Sequence, residues 1–196
     1  MKSKRTQSER TAATRTALIR AGRKLFGERG FAAVSTPEIA TEAGVSRGAL
    51  YHQFADKQAL FAAVAEEVEA GITQRLVERV QGAEDPLRMA VDAWLDIAHE
   101  PEVRRILLTD GPVVLGWDAW RELITKYGLG LTEQLLQAGM DAGVLRAQPV
   151  RPLAIILAGA LNEAAIYVAD ADDPDVARAE VRAVLEHVLA GVTEQP

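Results

Sequence analysis

Apolar residues recur at the spacing of an α-helix along nearly the whole chain of 196 residues. The period-2 alternation that predicts a half-buried β-strand is missing, and β-branched residues are scattered. A chain with this pattern can bury its apolar side chains only by packing helices against one another. The sequence therefore predicts an all-α protein.

Capping and helix-breaking residues divide this pattern into separate helices. Thr36, Ser46 and Asp56 are predicted N-caps, because each stands immediately before a helical pattern. A loop is predicted at Gly111-Pro112. The predicted helices cover residues 11–28, 36–43, 46–52, 57–81, 85–99, 102–109, 117–142, 151–169 and 175–191.

The segment from Thr36 to Lys57 has the pattern of two short helices joined by a tight turn. Gly44 can adopt the positive φ that the chain reversal requires, and the small Ala40 allows the helices to cross closely. Four apolar residues are predicted to form a miniature core that fixes the crossing angle: Ile39, Val45, Leu50 and Phe54. Such a core serves to hold the second helix so that it protrudes from the surface.

The second of these helices is predicted to expose side chains that are small or hydrogen-bonding, none of them acidic: Ser46, Arg47, Gly48, Tyr51 and His52. Arg47 can reach a guanine edge or a phosphate. Gly48 costs about 1 kcal/mol inside a helix, which is explained if the backbone must approach the bases closely. Tyr51 and Lys57 are placed to contact phosphates. The pattern predicts a helix that reads duplex DNA in the major groove; a plain helical hairpin with a polar surface is the alternative.

The net charge of −6 hides two regions of opposite sign. Residues 1–60 contain 11 Lys and Arg but only 5 Asp and Glu. The rest of the chain contains 11 Lys and Arg and 23 Asp and Glu. A basic end on an acidic body is typical of a protein that binds DNA at that end. Solvated faces can also differ in sign without any function, so charge alone leaves both interpretations open.

This segment resembles the DNA-binding signature of the TetR (tetracycline-repressor-like) family, at Thr36, Ile39-Ala40, Ala43 to His52, Phe54, Lys57 and Leu60. The preceding Leu25 to Phe31 is similar to the usual end of the family's first helix, so the resemblance covers about the first 60 residues. It implies a three-helix helix-turn-helix DNA-binding domain over residues 1–56 and a larger helical ligand-binding and dimerisation domain over residues 57–196. It further implies a repressor that binds a DNA operator and is released by a small molecule. The family's DNA contacts carry over onto Thr36, Ser46, Arg47, Gly48, Tyr51, His52 and Lys57.

The last two predicted helices show broad apolar faces. Residues 151–169 are apolar on nearly every side, and a helix of this kind is expected to be covered on every side. The two helices are therefore predicted to form half of a four-helix bundle that a second copy completes, with Ile156, Val184 and Val188 in the interface. Burial within a monomer is the alternative, but the resemblance favours a homodimer because family members pair through their last two long helices.

The body is predicted to hold a pocket for a small, largely apolar or aromatic effector, lined by Trp94, Trp120, Tyr127 and Asn162. Ordinary core packing would also explain any one of these residues. Asn162 is a polar amide in an apolar helix and needs a partner, which could be a ligand, a facing subunit or a backbone carbonyl. A constitutive repressor without a ligand is the alternative function.

The sequence offers little support for an enzyme or a metal site. It contains no Cys and only three His, and it lacks a Gly-rich phosphate loop and a His-Glu-x-x-His motif, so no cofactor is predicted. The basic residues Met1 to Arg5 are not followed by an apolar signal core. The longest strongly apolar run, Leu153 to Leu161, is less than half of the roughly 20 residues that a bilayer span needs. We therefore expect a cytoplasmic protein that is not bound to a membrane.

Overall fold

The structure, a computed structural model, describes residues 7–191, and every regular element within that range is a helix. The basic residues Met1 to Arg5 lie outside the described range. The N-terminal part contains α1 (Gln7–Arg29), α2 (Thr36–Glu42), α3 (Arg47–Gln53) and the long α4 (Lys57–Val80). The prediction of an all-α fold is confirmed.

Five helices of the body follow α4 along the described chain. They are α5 (Pro86–Ala98), α6 (residues 101–115), α7 (residues 117–141), α8 (Val150–Asp170) and α9 (Pro174–Ala190). The helices α6 and α7 each contain a π-helical stretch, at Arg104–Asp110 and Thr125–Leu129 respectively. Wider turns of this kind place side chains on a different face from the one that a regular α-helix would give.

The predicted loop at Gly111-Pro112 is wrong, because α6 continues through Gly111–Leu115. In a π-helical turn the Leu107 carbonyl would accept a hydrogen bond from the backbone N–H of residue 112, which proline lacks. The indole Nε1 of Trp120 donates to that carbonyl instead, at 2.7 Å. A tertiary contact therefore satisfies the carbonyl and allows proline to stand inside the helix.

Side-chain caps begin the three helices around the predicted turn. Ser46 caps α3 and Asp56 caps α4, as predicted. The N-cap of α2 is Ser35 rather than the predicted Thr36: the Ser35 hydroxyl accepts from the Glu38 N–H, and the Glu38 carboxylate accepts from the Ser35 N–H at 2.8 Å. This reciprocal pair is a capping box, and it places Thr36 in the first turn of the helix.

One hydrophobic cluster runs from α1 through α2, α3 and α4 into α5, α6 and α8. It includes the predicted miniature core, with Ile39, Leu50 and Phe54 buried and Val45 half-buried. The Phe61 ring on α4 packs edge-on against Phe26 at a centroid distance of 5.3 Å. Because this cluster crosses the predicted boundary between residues 56 and 57, α4 belongs to the packing of both parts, and the proposed division into domains stays a prediction.

Replacing Ser35 with Ala is expected to destabilise the protein by about 1 kcal/mol, because the Glu38 N–H loses its acceptor at the start of α2. Chemical denaturation at one fixed protein concentration measures this loss. The control is Thr36→Ala, which removes only an exposed hydrogen bond to Tyr51 and should change the free energy of unfolding by less than about 0.5 kcal/mol. An equal loss in the two variants would contradict the assignment of the cap.

Candidate functional site

The helix α3 presents an exposed face without a carboxylate. Leu50 is fully buried beneath it, whereas five residues predicted to contact DNA are exposed: Ser46, Arg47, Gly48, Tyr51 and His52. Thr36, at the start of α2, joins them because its hydroxyl lies 3.1 Å from the Tyr51 hydroxyl. The Arg47 guanidinium lies 5.5 Å from the centre of the Tyr51 ring. Six of the seven predicted contacts therefore share one polar surface, which we call the recognition surface.

Lys57, the seventh predicted contact, is half-buried at the start of α4. Its Nζ donates to the backbone carbonyls of Phe31 and Val34, both at 2.9 Å, and lies 4.0 Å from the centre of the Phe31 ring. An ammonium group has three donors, so one is left for a phosphate, and that contact stays a prediction. The structure adds a role that the sequence did not reveal: Lys57 holds the loop between α1 and α2 against α4.

The same loop, α4 and α1 each form hydrogen bonds with α6 in the body. The backbone N–H of Phe31 donates to Asp110 Oδ2 at 2.7 Å, and the Gln58 side chain on α4 donates to the Val114 carbonyl at 2.8 Å. On α1, Arg23 forms two hydrogen bonds of 2.8 Å with the Glu102 carboxylate. These contacts join residues far apart in the sequence, so no local pattern could predict them.

A cavity of about 630 Å³ lies in the body, with walls from α4, α5, α6, α7, α8 and α9. Three of the four predicted lining residues are found there: Trp94, Trp120 and Asn162. Tyr127 is not among the lining residues, because its hydroxyl donates to Glu66 Oε1 at 2.8 Å. Residues seven apart share a face of a regular α-helix, as Trp120 and Tyr127 would, but the π-helical stretch in α7 moves Tyr127 away from the cavity.

The tryptophans form the aromatic wall of this cavity. Trp94 Nε1 donates to the Leu161 carbonyl at 3.2 Å, and Trp120 Nε1 donates to the Leu107 carbonyl. The Trp117 ring lies 5.1 Å from that of Trp120 and is 60% exposed, which places it at the rim. Since the N–H groups of Trp94 and Trp120 already have acceptors, these two indoles offer the cavity mainly apolar surface.

Glu69 on α4 is the lining residue that the sequence interpretation missed. Its side chain is only 3% exposed, and burial raises its pKa to about 7. Among residues 7–191, the buried side-chain oxygens without a hydrogen-bond partner are Glu69 Oε2 and Thr73 Oγ1, one turn apart on α4. The sequence does contain a pattern that indicates the burial of Glu69. One i, i+4 row on α4 contains Phe61, Ala65, Glu69 and Thr73, and its first two members are apolar.

The other ionisable lining groups are exposed at the rim of the cavity: Arg121, Arg151 and Glu163. Arg151 is already paired with Glu133 at 3.1 Å. Asn162 is half-buried and makes no side-chain hydrogen bond within the described range. No group of three His, Asp or Glu side chains in that range could hold a metal ion. The interior of the cavity therefore combines an apolar, aromatic wall with a carboxylate, a hydroxyl and an amide that lack partners.

The outer faces of α8 and α9 carry large apolar side chains that the single chain leaves uncovered. Ile156, Val184 and Val188 are 67%, 62% and 44% exposed, and Tyr167 and Val176 are exposed with them. The expectation that α8 is covered on every side is thus not met within one chain. By length and composition α8 could cross a bilayer, but core helices share those properties, and here α8 packs against α5, α7 and α9.

Comparison with known proteins covers both parts of the chain. Residues 18–64 match the family described as "Bacterial regulatory proteins, tetR family", and residues 85–192 match "Tetracyclin repressor-like, C-terminal domain". The chain is 26% identical over 171 residues to the Transposon Tn10 TetC protein of Escherichia coli, covering 85% of this chain and 86% of that protein.

Solved structures show the same fold. The crystal structure of a TetR-family transcriptional regulator from Pectobacterium atrosepticum matches with a TM-score of 0.85 and 34% identity, over 98% of this chain and 100% of that one. A second, RolR in complex with resorcinol, matches with a TM-score of 0.70 and 21% identity, over 91% and 90% of the two chains.

Replacing Glu69 with Gln is expected to stabilise the protein at alkaline pH. The pKa of about 7 in the folded protein lies above the ordinary value of 4.5, so the contribution of Glu69 to stability is full below about pH 4.5 and is lost as the pH rises through 7. Glutamine does not ionise, so its advantage over the parent should be about 2 kcal/mol larger at pH 8 than at pH 5.

Denaturation at the two pH values measures this difference. Glu163→Gln is the matched control, since it makes the same chemical change at an exposed position of the cavity rim and should show no such gain at pH 8. If Glu69→Gln and the parent had the same pH dependence of stability, the carboxylate would not be buried without a partner.

Proposed function

Because the chain belongs to the TetR family of transcriptional regulators, we propose that it is a homodimeric repressor that binds a palindromic DNA operator and is released by a small molecule bound in the cavity. Members of this family are DNA-binding regulators rather than enzymes. The observation that carries the proposal is the exposed recognition surface, which presents arginine, tyrosine, serine and histidine without a carboxylate. The site of action is the cytoplasm, where bacterial DNA lies.

DNA recognition follows from the chemistry of the recognition surface. Arg47 supplies a planar donor group that suits the two acceptors of guanine in the major groove. A Cβ built at Gly48 would have only Ser46 Oγ within 4 Å among the described residues, at 3.9 Å, so the backbone of α3 can approach the base edges. Tyr51 is held by Thr36 at the edge of this surface, where phosphate contacts set the register. The excess of basic residues in residues 1–60 adds attraction that does not depend on base sequence.

Dimerisation accounts for the uncovered face of α8 and α9. Apolar faces on two neighbouring helices meet their symmetry mates in a two-fold bundle of four helices. Two copies of α3 would then address two half-sites one turn of DNA apart, about 34–36 Å. A two-fold protein of this kind reads a near-palindromic operator.

Release requires that the cavity and the recognition surface are mechanically connected. The helix α4 lines the cavity with Glu69, Ile72 and Thr73, and its 24 residues extend over about 36 Å to the DNA-binding end. On α6, Pro112 lines the cavity and Asp110 accepts from the Phe31 N–H. A ligand that binds more tightly to a tilted arrangement of these helices would change the spacing of the two recognition surfaces.

The cavity supports a ligand-responsive regulator over a constitutive repressor. A volume of about 630 Å³ is within the usual size of small-molecule sites. The resorcinol complex of RolR supports the view that this fold accommodates a small aromatic molecule. The test is to select operator fragments from random DNA with the purified protein, and then to screen compounds that release it. Failure to enrich a near-palindromic sequence would contradict the proposal.

Replacing Arg47 with Ala is expected to weaken binding to the selected operator by about 1–3 kcal/mol and to relax base preference, because a bidentate base contact is lost. Titration of labelled operator at moderate salt, with variant operators in parallel, measures both effects. Arg79→Ala is the control: it removes an arginine from the far end of α4, where Arg79 pairs with Asp96 at 3.3 Å. Parent-like affinity in the Arg47 variant would show that the recognition surface is misassigned.

Replacing Val184 with Glu is expected to produce monomers and to abolish operator binding, because a carboxylate would be buried without a partner in the interface. Sedimentation velocity and operator titration are the two measurements. Val113→Glu is the matched control, since Val113 on α6 is 84% exposed and lies outside α8 and α9. A parent protein that sediments as a stable monomer would refute the dimer.

A further inference from the structure

The Glu69 carboxylate is an unusual group to find in the wall of an apolar cavity. A carboxylate that is taken out of water normally has a basic side chain or several N–H donors beside it. Glu69 has neither: its Oε2 is buried without a hydrogen bond, and burial is the cause that raises its pKa. The cavity therefore contains negative charge, once the group ionises, that nothing within the described chain balances.

The surroundings of Glu69 leave room for a ligand group beside it. Thr73 Oγ1, one turn away, is likewise buried without a partner. On α7, Gly128 lies directly beside Glu69, since a Cβ built there would be 3.6 Å from Glu69 Oε1, and it also lines the cavity. A ligand group in the cavity next to the carboxylate would thus meet the Thr73 hydroxyl and a residue without a side chain.

The rest of the wall suits the body of an organic cation. Trp94 and Trp120 are buried lining residues whose N–H groups are already engaged, and aromatic faces attract cations. The ionisable groups that line the cavity from other helices are Arg121 on α7 and Arg151 and Glu163 on α8, all exposed at the rim. A ligand without a donor group would leave Glu69 unpaired, an anion would be repelled by its ionised form, and a cation alone would also balance its charge.

We propose that the cavity binds an organic cation whose charged nitrogen pairs with the Glu69 carboxylate. The cation is a protonated amine or a quaternary ammonium ion with an aromatic or alkyl body. This inference rests on the proposed function, since the cation would be the effector that releases the operator. A protonated amine also donates to the Thr73 hydroxyl, whereas a quaternary ammonium uses the indole faces. Binding of either type depends on the ionised form of Glu69.

The test uses the full-length protein and two probes of nearly equal shape. Benzyltrimethylammonium is a permanent cation, and neopentylbenzene is its uncharged isostere, with carbon in place of nitrogen. Tryptophan fluorescence or calorimetry gives the dissociation constant of each at pH 5.5 and at pH 8.5. With a Glu69 pKa of about 7, the cation should bind roughly tenfold or more tightly at pH 8.5, and the isostere should show no such change.

Three variants locate this effect. Glu69→Gln should lose about tenfold in affinity for the cation at pH 8.5 and should lose the pH dependence, while binding of the isostere is unchanged. Glu78→Gln, which neutralises an exposed carboxylate on α4 outside the cavity lining, should behave like the parent. Thr73→Val is expected to weaken a protonated benzylamine more than the quaternary probe, because only the former donates a hydrogen bond.

Three results would overturn the cation site. They are no binding of the cation at 10 mM, equal affinity for the two probes, or unchanged cation binding in a Glu69→Gln variant whose circular dichroism spectrum matches that of the parent. Operator titration is carried out separately on the same samples. A protein that binds the cation through Glu69 but enriches no operator would refute the repressor proposal and leave the cation site standing. Operator release by neutral compounds alone would refute the cation site and leave the repressor proposal standing.

Discussion

The apolar packing of α4 is the interaction on which the rest of the structure depends. Near its N-terminus, Phe61 packs against the aromatic rings of Phe26 and Phe31 and so belongs to the core beneath the recognition surface. Towards its C-terminus, Ile72 and Leu76 line the cavity. Since one continuous helix contributes to both sites, a change in its tilt at one end is carried to the other without any flexible joint.

The same helix carries the chain's clearest departure from a well-satisfied core. Glu69 and Thr73 occupy a row that begins with Phe61 and Ala65, and within residues 7–191 neither Glu69 Oε2 nor Thr73 Oγ1 has a hydrogen-bond partner. Natural proteins break the rules of polar satisfaction mainly at functional sites, at a cost to stability. An apolar residue at position 69 would be the more stable choice, and the proposed ligand that pairs with the carboxylate would account for its presence there.

Local chemistry was enough to predict much of the fold. Ser46, Asp56 and Gly44 act within a few residues of themselves, and the structure confirms the two caps and the positive φ of Gly44. What could not be predicted depends on distant contacts. Proline at 112 is tolerated because Trp120 supplies a donor, and Tyr127 faces Glu66 because a π-helical stretch interrupts α7. The structural role of Lys57 and the burial of Glu69 were missed for the same reason, since the partners of Lys57 come from the loop between α1 and α2 and the neighbour of Glu69 comes from α7.

We propose that the two recognition surfaces of one dimer address two successive turns of DNA. The chain has no cysteine, so a single Cys placed at the exposed Ala55, directly after α3, can be spin-labelled cleanly. The direct measurement is the distance between the two labels by pulsed electron paramagnetic resonance, with the protein on its selected operator. We expect one narrow distance on the order of a turn of DNA, about 35 Å. The absence of any label-to-label distance on DNA would mean that a single copy binds, and it would contradict the proposed dimer.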